Sequence, residues 1–273
     1  MSSYRYEYQA GVSNWSRALG DIQDAWSRRL LWTDMAFREF KGKYRGATFG
    51  AFWLTLTTAM TAIGLGVLYG YLFGRPLAEH LPYVTCAILS WGLITGFVNS
   101  GCAVFVGNAN TFKEFPLPSA LFAFKLALSQ MIAFSYRSIV LVIMLLIFSK
   151  SLTPLALLSV VGFLLLVWIG FWSSLALGVI NARYRDFGQL VSAFMTFAFF
   201  LTPIFWLPDR LNEYAVYLNF NPFFHMIEVI RGPIMGHDNL ALHFGFVAAF
   251  AVIAPAIGIF VYGKLSHRLA YWC

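Results

Sequence analysis

The sequence predicts an all-α membrane protein: six transmembrane helices, an N-terminal amphipathic interface helix, and a re-entrant helix pair between spans five and six. Three observations carry that expectation. Hydrophobic residues make up 59% of the 273 positions and charged residues only 11%, whereas a soluble domain carries about 25% charged residues. The apolar residues fall in six runs, each close to the roughly 20 residues that cross a bilayer as a helix. The basic residues gather in alternate loops, as Lys and Arg do on the cytosolic side of a membrane.

Residues 1–46 form a cytosolic segment and 47–273 a single six-span domain. The first segment holds Arg5, Arg17, Arg28, Arg29, Arg38, Lys41, Lys43 and Arg45. Trp26, Leu30, Thr33 and Phe37 share one helical face against Arg28, Arg29, Asp34, Arg38 and Lys41. A basic amphipathic helix of this kind lies on an anionic membrane surface; a solvated orientation signal is the plainer alternative. The polar, basic opening shows no cleavable signal peptide. The first span, 47–73, ends in Gly66, Gly70 and Gly74, a small-residue stripe that lets helices approach closely. A turn at 75–80 leads to the second span, 81–106. In the polar stretch 107–125, Pro116 and Pro118 break the helix and Ser119 suits the cap of a new one. The third span is 121–148 and the fourth 155–180. A short polar loop, 181–188, precedes the fifth, the nineteen-residue apolar run 188–206.

Two short half-apolar segments follow within 207–239, where a simple membrane protein would make a polar loop. The first is 209–220. The second opens at Asn221-Pro222, suited to N-cap and first helical turn, and closes at Gly232-Pro233. Phe223, Met226, Ile227 and Ile230 share one face, and His225, Glu228 and Arg231 recur along another. Ten residues reach roughly 15 Å, half of a hydrocarbon core. Such a helix dips in and returns, or lies at the interface. The re-entrant reading is preferred, near the mouth of a pathway, because non-helical backbone at membrane depth needs protein or a water-lined cavity around it. The sixth span is 240–262, and 264–273 form a short tail.

One set of loops holds the eight N-terminal basic residues with Lys113, Lys125, Arg183, Arg185, Lys264 and Arg268; the other holds Arg75, Lys150, Arg210 and Arg231. Both termini are therefore expected in the cytosol, with the re-entrant pair outside. This distribution assigns the net charge of +7 to membrane orientation, with no call for nucleic acid.

No catalytic constellation or metal-ligand spacing emerges. Cys86, Cys102 and Cys273 are scattered and support neither a disulfide framework nor a metal site. Residues 258–265 imitate a phosphate-binding loop up to Lys264, but Leu265 stands where Ser or Thr must hold Mg²⁺, and no strand precedes it. The spans contain no Asp or Glu, which disfavours an ion-coupled carrier. Arg137 is the one charged residue deep inside a span. It faces a polar or anionic substrate in a pathway, or it serves as a structural partner for loop carboxylates or carbonyls. The fifth span is dense with rings, among them Phe187, Phe194, Phe197, Phe199, Phe200 and Phe205. Such rings suit sugar faces, and equally suit core or lipid packing.

Five features then occur in order: Phe37 to Arg45 with Gly50 leading into Phe52-Trp53; Phe115-Pro116-Leu117-Pro118; Asn181 to Asp186; Thr202-Pro203-Ile204-Phe205-Trp206; and Asn221-Pro222 with His225, Glu228 and Arg231-Gly232. In this order the set resembles the permease subunit of type-2 ABC polysaccharide exporters, which move O antigen, capsule or teichoic acid. The resemblance covers nearly the whole chain. It implies a homodimer in the bacterial inner membrane with two copies of a separate ABC ATPase subunit, which hold the ATP and Mg²⁺. It implies a channel for a polymer linked to undecaprenyl diphosphate. It places ATPase coupling on Arg38, Lys41, Lys43, Arg45, Lys113, Glu114, Phe115, Pro116 and Pro118, with Arg183 and Asp186 as lesser candidates. Pro203, Phe205, Trp206, Asn221, Pro222, His225, Glu228 and Arg231 would shape an outer gate, and Trp53, Arg137, Phe194 and Phe197 the channel. A drug or lipid exporter of the same superfamily, a membrane-bound glycolipid enzyme and a secondary transporter are the alternatives.

Overall fold

The computed structural model describes residues 14–148 and 153–272. Arg5, Lys150 and Cys273 lie outside them, as do the side chains of Lys113 and Arg210. Among the described residues every regular element is helical. Among the described residues, five helices are long and apolar enough to cross a membrane: Gly50–Phe73, Leu77–Ala103, Ala120–Ile147, Pro154–Arg183 and Leu240–Arg268. The α-helices are α1 (Asn14–Ser27), α2 (Arg29–Lys43), α3 (Trp53–Phe73), α4 (Leu77–Ala103), α5 (Ala109–Glu114), α6 (Ala120–Ile147), α7 (Leu158–Arg183), α8 (Phe187–Leu201), α9 (Pro222–Met235), α10 (Leu240–Leu265) and α11 (Leu269–Trp272).

The centre belongs to α4. Of its most apolar stretch 72% is buried within the chain, against 11–33% for the other four long helices. Helices α3, α6, α7 and α9 pack around it, and α10 packs against α7 and α9. One end of the bundle gathers α1, α2, α5, the α7–α8 turn and α11. We call it the basic end.

The N-terminal segment is two helices joined at Arg28 (φ −86°, ψ 33°), so the expected face through Trp26, Leu30, Thr33 and Phe37 crosses a bend. A straight helix would set Trp26 and Trp32 about 120° apart around its axis. The bend brings both rings onto Phe124, at 5.5 and 5.6 Å. Ala18, Ala25, Ala36 and Phe40 face the bundle, while Trp15, Leu19, Trp26, Leu30 and Phe37 are exposed.

The glycine stripe on α3 serves contact within the chain. A β-carbon at Gly66 would lie 2.5 Å from Leu81, and one at Gly70 2.9 Å from Leu77, so the stripe seats the start of α4. Gly74 ends α3 in the left-handed region (φ 63°), where glycine carries no side-chain penalty.

The fifth apolar run is helical over only fifteen residues, or about 22 Å. Thr202 precedes Pro203 and is pushed into extended geometry (φ −101°, ψ 135°), which stops α8. Residues Pro208–Phe220 form 3₁₀ turns.

Prolines inside helices are accommodated by specific neighbours. The chain continues through Gly232-Pro233, where closure was expected, to Met235, and Gly236 caps it (φ 76°). Pro233 removes the donor for the Val229 carbonyl. That carbonyl abuts Gly162 of α7, where a β-carbon would lie only 2.3 Å from its oxygen; only a bare Cα fits there. In α10, Pro255 frees the Ala251 carbonyl, and the Trp168 indole of α7 donates to it at 2.9 Å.

Candidate functional site

Three polar assemblies interrupt the apolar bundle. The first ties the basic end together. Asp21 of α1 accepts hydrogen bonds from the backbone N–H groups of Ser119 (3.0 Å) and Ala120 (2.8 Å), and from the Tyr262 hydroxyl of α10. It caps α6 from another helix, directly after the Pro116–Pro118 break. Burial pushes its carboxyl above the ordinary range against these three hydrogen bonds, and Asp24 adds to the rise. On α2, Glu39 pairs with Lys125 of α6 (2.7 Å) and Lys43 (3.1 Å), while Lys125 also donates to Asn108 (2.7 Å). Burial raises the Glu39 carboxyl, but the two lysines outweigh it and hold the group below its usual range. Asn181 joins the end of α4 to the start of α8, donating to the Cys102 carbonyl (2.8 Å) and accepting from the Gly188 N–H (2.7 Å).

The residues expected to couple to an ATPase surround these ties on the outside. Arg38 pairs with Asp34 (2.6 Å), and Lys41, Arg45, Glu114, Phe115 and Pro116 are exposed. Pro118 is buried beneath them. Arg183 stacks over Tyr184 and Trp272, and Asp186 is exposed at the start of α8. Asp21, Asn108 and Tyr262 escaped the sequence reading, and Asn181 entered it only as part of the Asn181 to Asp186 motif. Asp21 lies 98 positions from Ser119, and no local spacing announces such a cap.

The second assembly surrounds the break after α8. Thr202, Pro203, Ile204 and Phe205 are buried, and non-helical backbone buried at this depth needs partners. Asn221 donates to the Leu201 carbonyl (3.3 Å) and the Thr202 hydroxyl (3.1 Å), Arg231 to the Pro203 carbonyl (2.7 Å), and Tyr83 to the Trp206 carbonyl (3.2 Å). The Asn221 side-chain oxygen also caps α9 at Phe223 (3.0 Å), with Pro222 in its first turn. Arg231 is fully buried, pairs with Glu228 (2.5 Å), and lies 4.0 Å over the Tyr83 ring. Glu228 also meets His237 (2.9 Å). His225 Nε2 faces the Asn219 carbonyl (2.9 Å), which only accepts; its Nδ1, 2.8 Å from His243 Nδ1, then accepts when the ring is neutral. Phe205 stacks on Tyr69 at 4.4 Å. The structure thus brings together the residues assigned to the outer gate. It buries both faces of α9: every residue from Phe224 to Pro233 is inside the protein.

The third assembly is a polar groove between α3, α4 and α6, with Arg137 in its wall. Trp53 stands apart, exposed beside Phe49 at the start of α3. Phe194 and Phe197 lie with Leu190 and Phe200 in an exposed apolar row on α8.

A family model for ABC-2 type transporters matches residues 32–235. The chain belongs to that family. It is the membrane-spanning permease subunit of an ABC transporter, a role that implies partnership with an ABC ATPase subunit. A search of curated proteins finds no match.

Proposed function

We propose that the chain is the channel-forming subunit of an ATP-driven exporter that carries a lipid-linked polysaccharide, such as O antigen on undecaprenyl diphosphate, across the bacterial inner membrane. It works as a homodimer with two ATPase subunits and has both termini in the cytosol. The observation that carries this reading is the tie at Asp21. One carboxylate joins an interface helix, the start of α6 after an exposed loop, and the end of α10. A push on residues 109–118 is thereby passed to two membrane helices and the surface helix together. The basic residues concentrated at this end favour its placement in the cytosol.

In this reading α8 and residues 202–207 together make the fifth of six crossings, since α8 alone is shorter than a hydrocarbon core of about 30 Å. The 3₁₀ segment and α9 form the re-entrant pair, and the second assembly holds the broken backbone at membrane depth. The row of Leu190, Phe194, Phe197 and Phe200 gives a flat aromatic surface suited to sugar C–H faces. A lipid exporter is the second reading. It is favoured by an apolar cavity of about 290 Å³ among α4, α7 and α10, lined by Phe97, Trp172 and Phe250.

Deleting the chain should make lipid-linked glycan accumulate on the cytosolic side, and the intact chain should clear it. Normal glycan turnover with altered lipid distribution would favour the second reading. Replacing Glu114 and Pro116 with Ala should leave ATP hydrolysis and assembly intact while abolishing export; unchanged export would remove that loop from the coupling path.

A further inference from the structure

The polar groove is open, holds about 400 Å³, and lies at the depth of the membrane helices. Thr57 and Thr61 of α3, Gly92, Thr95 and Asn99 of α4, and Arg137 of α6 line it. The packing of α4 makes room for polar side chains from α6. A β-carbon at Gly92 would lie 2.7 Å from an Arg137 guanidinium nitrogen, and one at Gly96 2.3 Å from the Gln130 amide oxygen. Gln130 is satisfied by the Gly96 carbonyl (3.2 Å). Arg137 pairs with no carboxylate among the described residues. An arginine at membrane depth costs at least about 2.5–3.5 kcal/mol on insertion scales, and such groups normally pair or face a pathway.

The hydroxyls are committed in a telling way. Thr57, Thr61 and Thr95 each donate to the carbonyl four residues earlier (2.8, 2.9 and 2.8 Å), which leaves their oxygens free only to accept. The groove therefore sets a five-donor cation beside three hydroxyl oxygens that accept, with the Asn99 amide and Ser100 hydroxyl completing its polar lining. Its complement is a ligand that brings an anion and hydroxyl donors of its own. Planar guanidinium matches phosphate oxygens as a two-pronged fork. The wall is also tied to the interface helix: Tyr136 stacks on Phe40 at 5.5 Å, and the Thr55 hydroxyl donates to the Tyr136 carbonyl at 2.7 Å.

We propose that this groove binds the phosphate headgroup of a lipid, with Arg137 holding the phosphate and the threonine oxygens accepting from headgroup hydroxyls. A lipid-linked glycan and a hydroxylated anionic phospholipid both supply that chemistry. Assigning the glycan source rests on the exporter reading; the phosphate chemistry does not.

The test uses the full chain, with any ATPase that accompanies it, in phosphatidylcholine nanodiscs. Farnesyl diphosphate and short-chain phosphatidylglycerol are titrated separately, and bound probe is read by native mass spectrometry. Binding should weaken about tenfold or more in R137Q, the scale of one charged hydrogen bond, and recover partly in R137K. Dependence on Arg137 with farnesyl diphosphate assigns an isoprenyl phosphate; the same dependence with phosphatidylglycerol alone assigns a bilayer lipid. Wild type binding neither probe, or R137Q binding both as tightly, overturns the proposal. If R137Q does not assemble, Gly92→Ala carries the test, because it displaces the guanidinium and keeps the charge. Unchanged affinity for both probes in Gly92→Ala and Thr57→Val then overturns it. No transport or hydrolysis enters the readout, so its failure is distinct from failure of the exporter reading.

Discussion

Arg231 and Glu228 sit on neighbouring turns of α9, inside the protein, and their arrangement predicts that neither is replaceable alone. Arg231 spends its donors on Glu228 and the Pro203 carbonyl and its flat face on Tyr83. Removing one partner leaves a buried charge uncompensated, which costs about 3–5 kcal/mol. Arg231→Met should lower the thermal unfolding midpoint of the purified chain far more than a change at exposed Arg38 does. Equal effects would show that the pair is dispensable. At the basic end, Glu39 provides a pH test. Its carboxyl is held below the ordinary value of 4.5 in the folded chain, so its stabilisation is complete above that value and is lost as pH falls through the lowered one. The stability gap between wild type and Glu39→Gln should be full at pH 7 and shrink below about pH 4.5. A gap that is constant with pH would mean that Glu39 acts by packing alone.

Helix by helix, the main surprises come from prolines. Pro233 reads as a helix end in sequence, yet α9 runs through it, as α10 runs through Pro255, and the freed carbonyls meet Gly162 and Trp168. A Trp168→Phe change should destabilise the chain by about 1–3 kcal/mol, the cost of a carbonyl left without a donor on an apolar membrane helix. Restoring the backbone donor with Pro255→Ala should remove much of that cost, and a double-mutant cycle measures the coupling. Purely additive effects would refute the compensation. The sequence made the long spans legible because twenty-odd apolar residues leave no other solvent than lipid. Asn221 as a cap was legible because capping is local. The bend at Arg28 was not, since it is set by Phe124, and neither was the intramolecular use of Gly66 and Gly70, which depends on Leu77 and Leu81 across a turn. The tie at Asp21 depends on Ser119, Ala120 and Tyr262, which no nearby pattern reveals.

The whole molecule divides into a packed half around α9 and a tied basic end. The buried Glu228–Arg231 cluster and the broken backbone after α8 form one unit, anchored on α4 and α9. The basic end forms another, in which Asp21, Glu39 and Asn181 join the surface helices and loops to the starts or ends of α4, α6, α8 and α10. Between them lies the Arg137 groove, attached through Tyr136 to the surface helix α2. In the exporter reading, motion imposed at the basic end reaches the groove before the cluster on α9. The central claim is that a separate ATPase imposes that motion. The most direct measurement is the subunit composition and ATP hydrolysis of the chain purified from its native membrane in mild detergent. The account predicts an ABC ATPase subunit in equal number with the chain, hydrolysing ATP. An intact chain that emerges alone, while that ATPase is abundant in the same lysate, would contradict it.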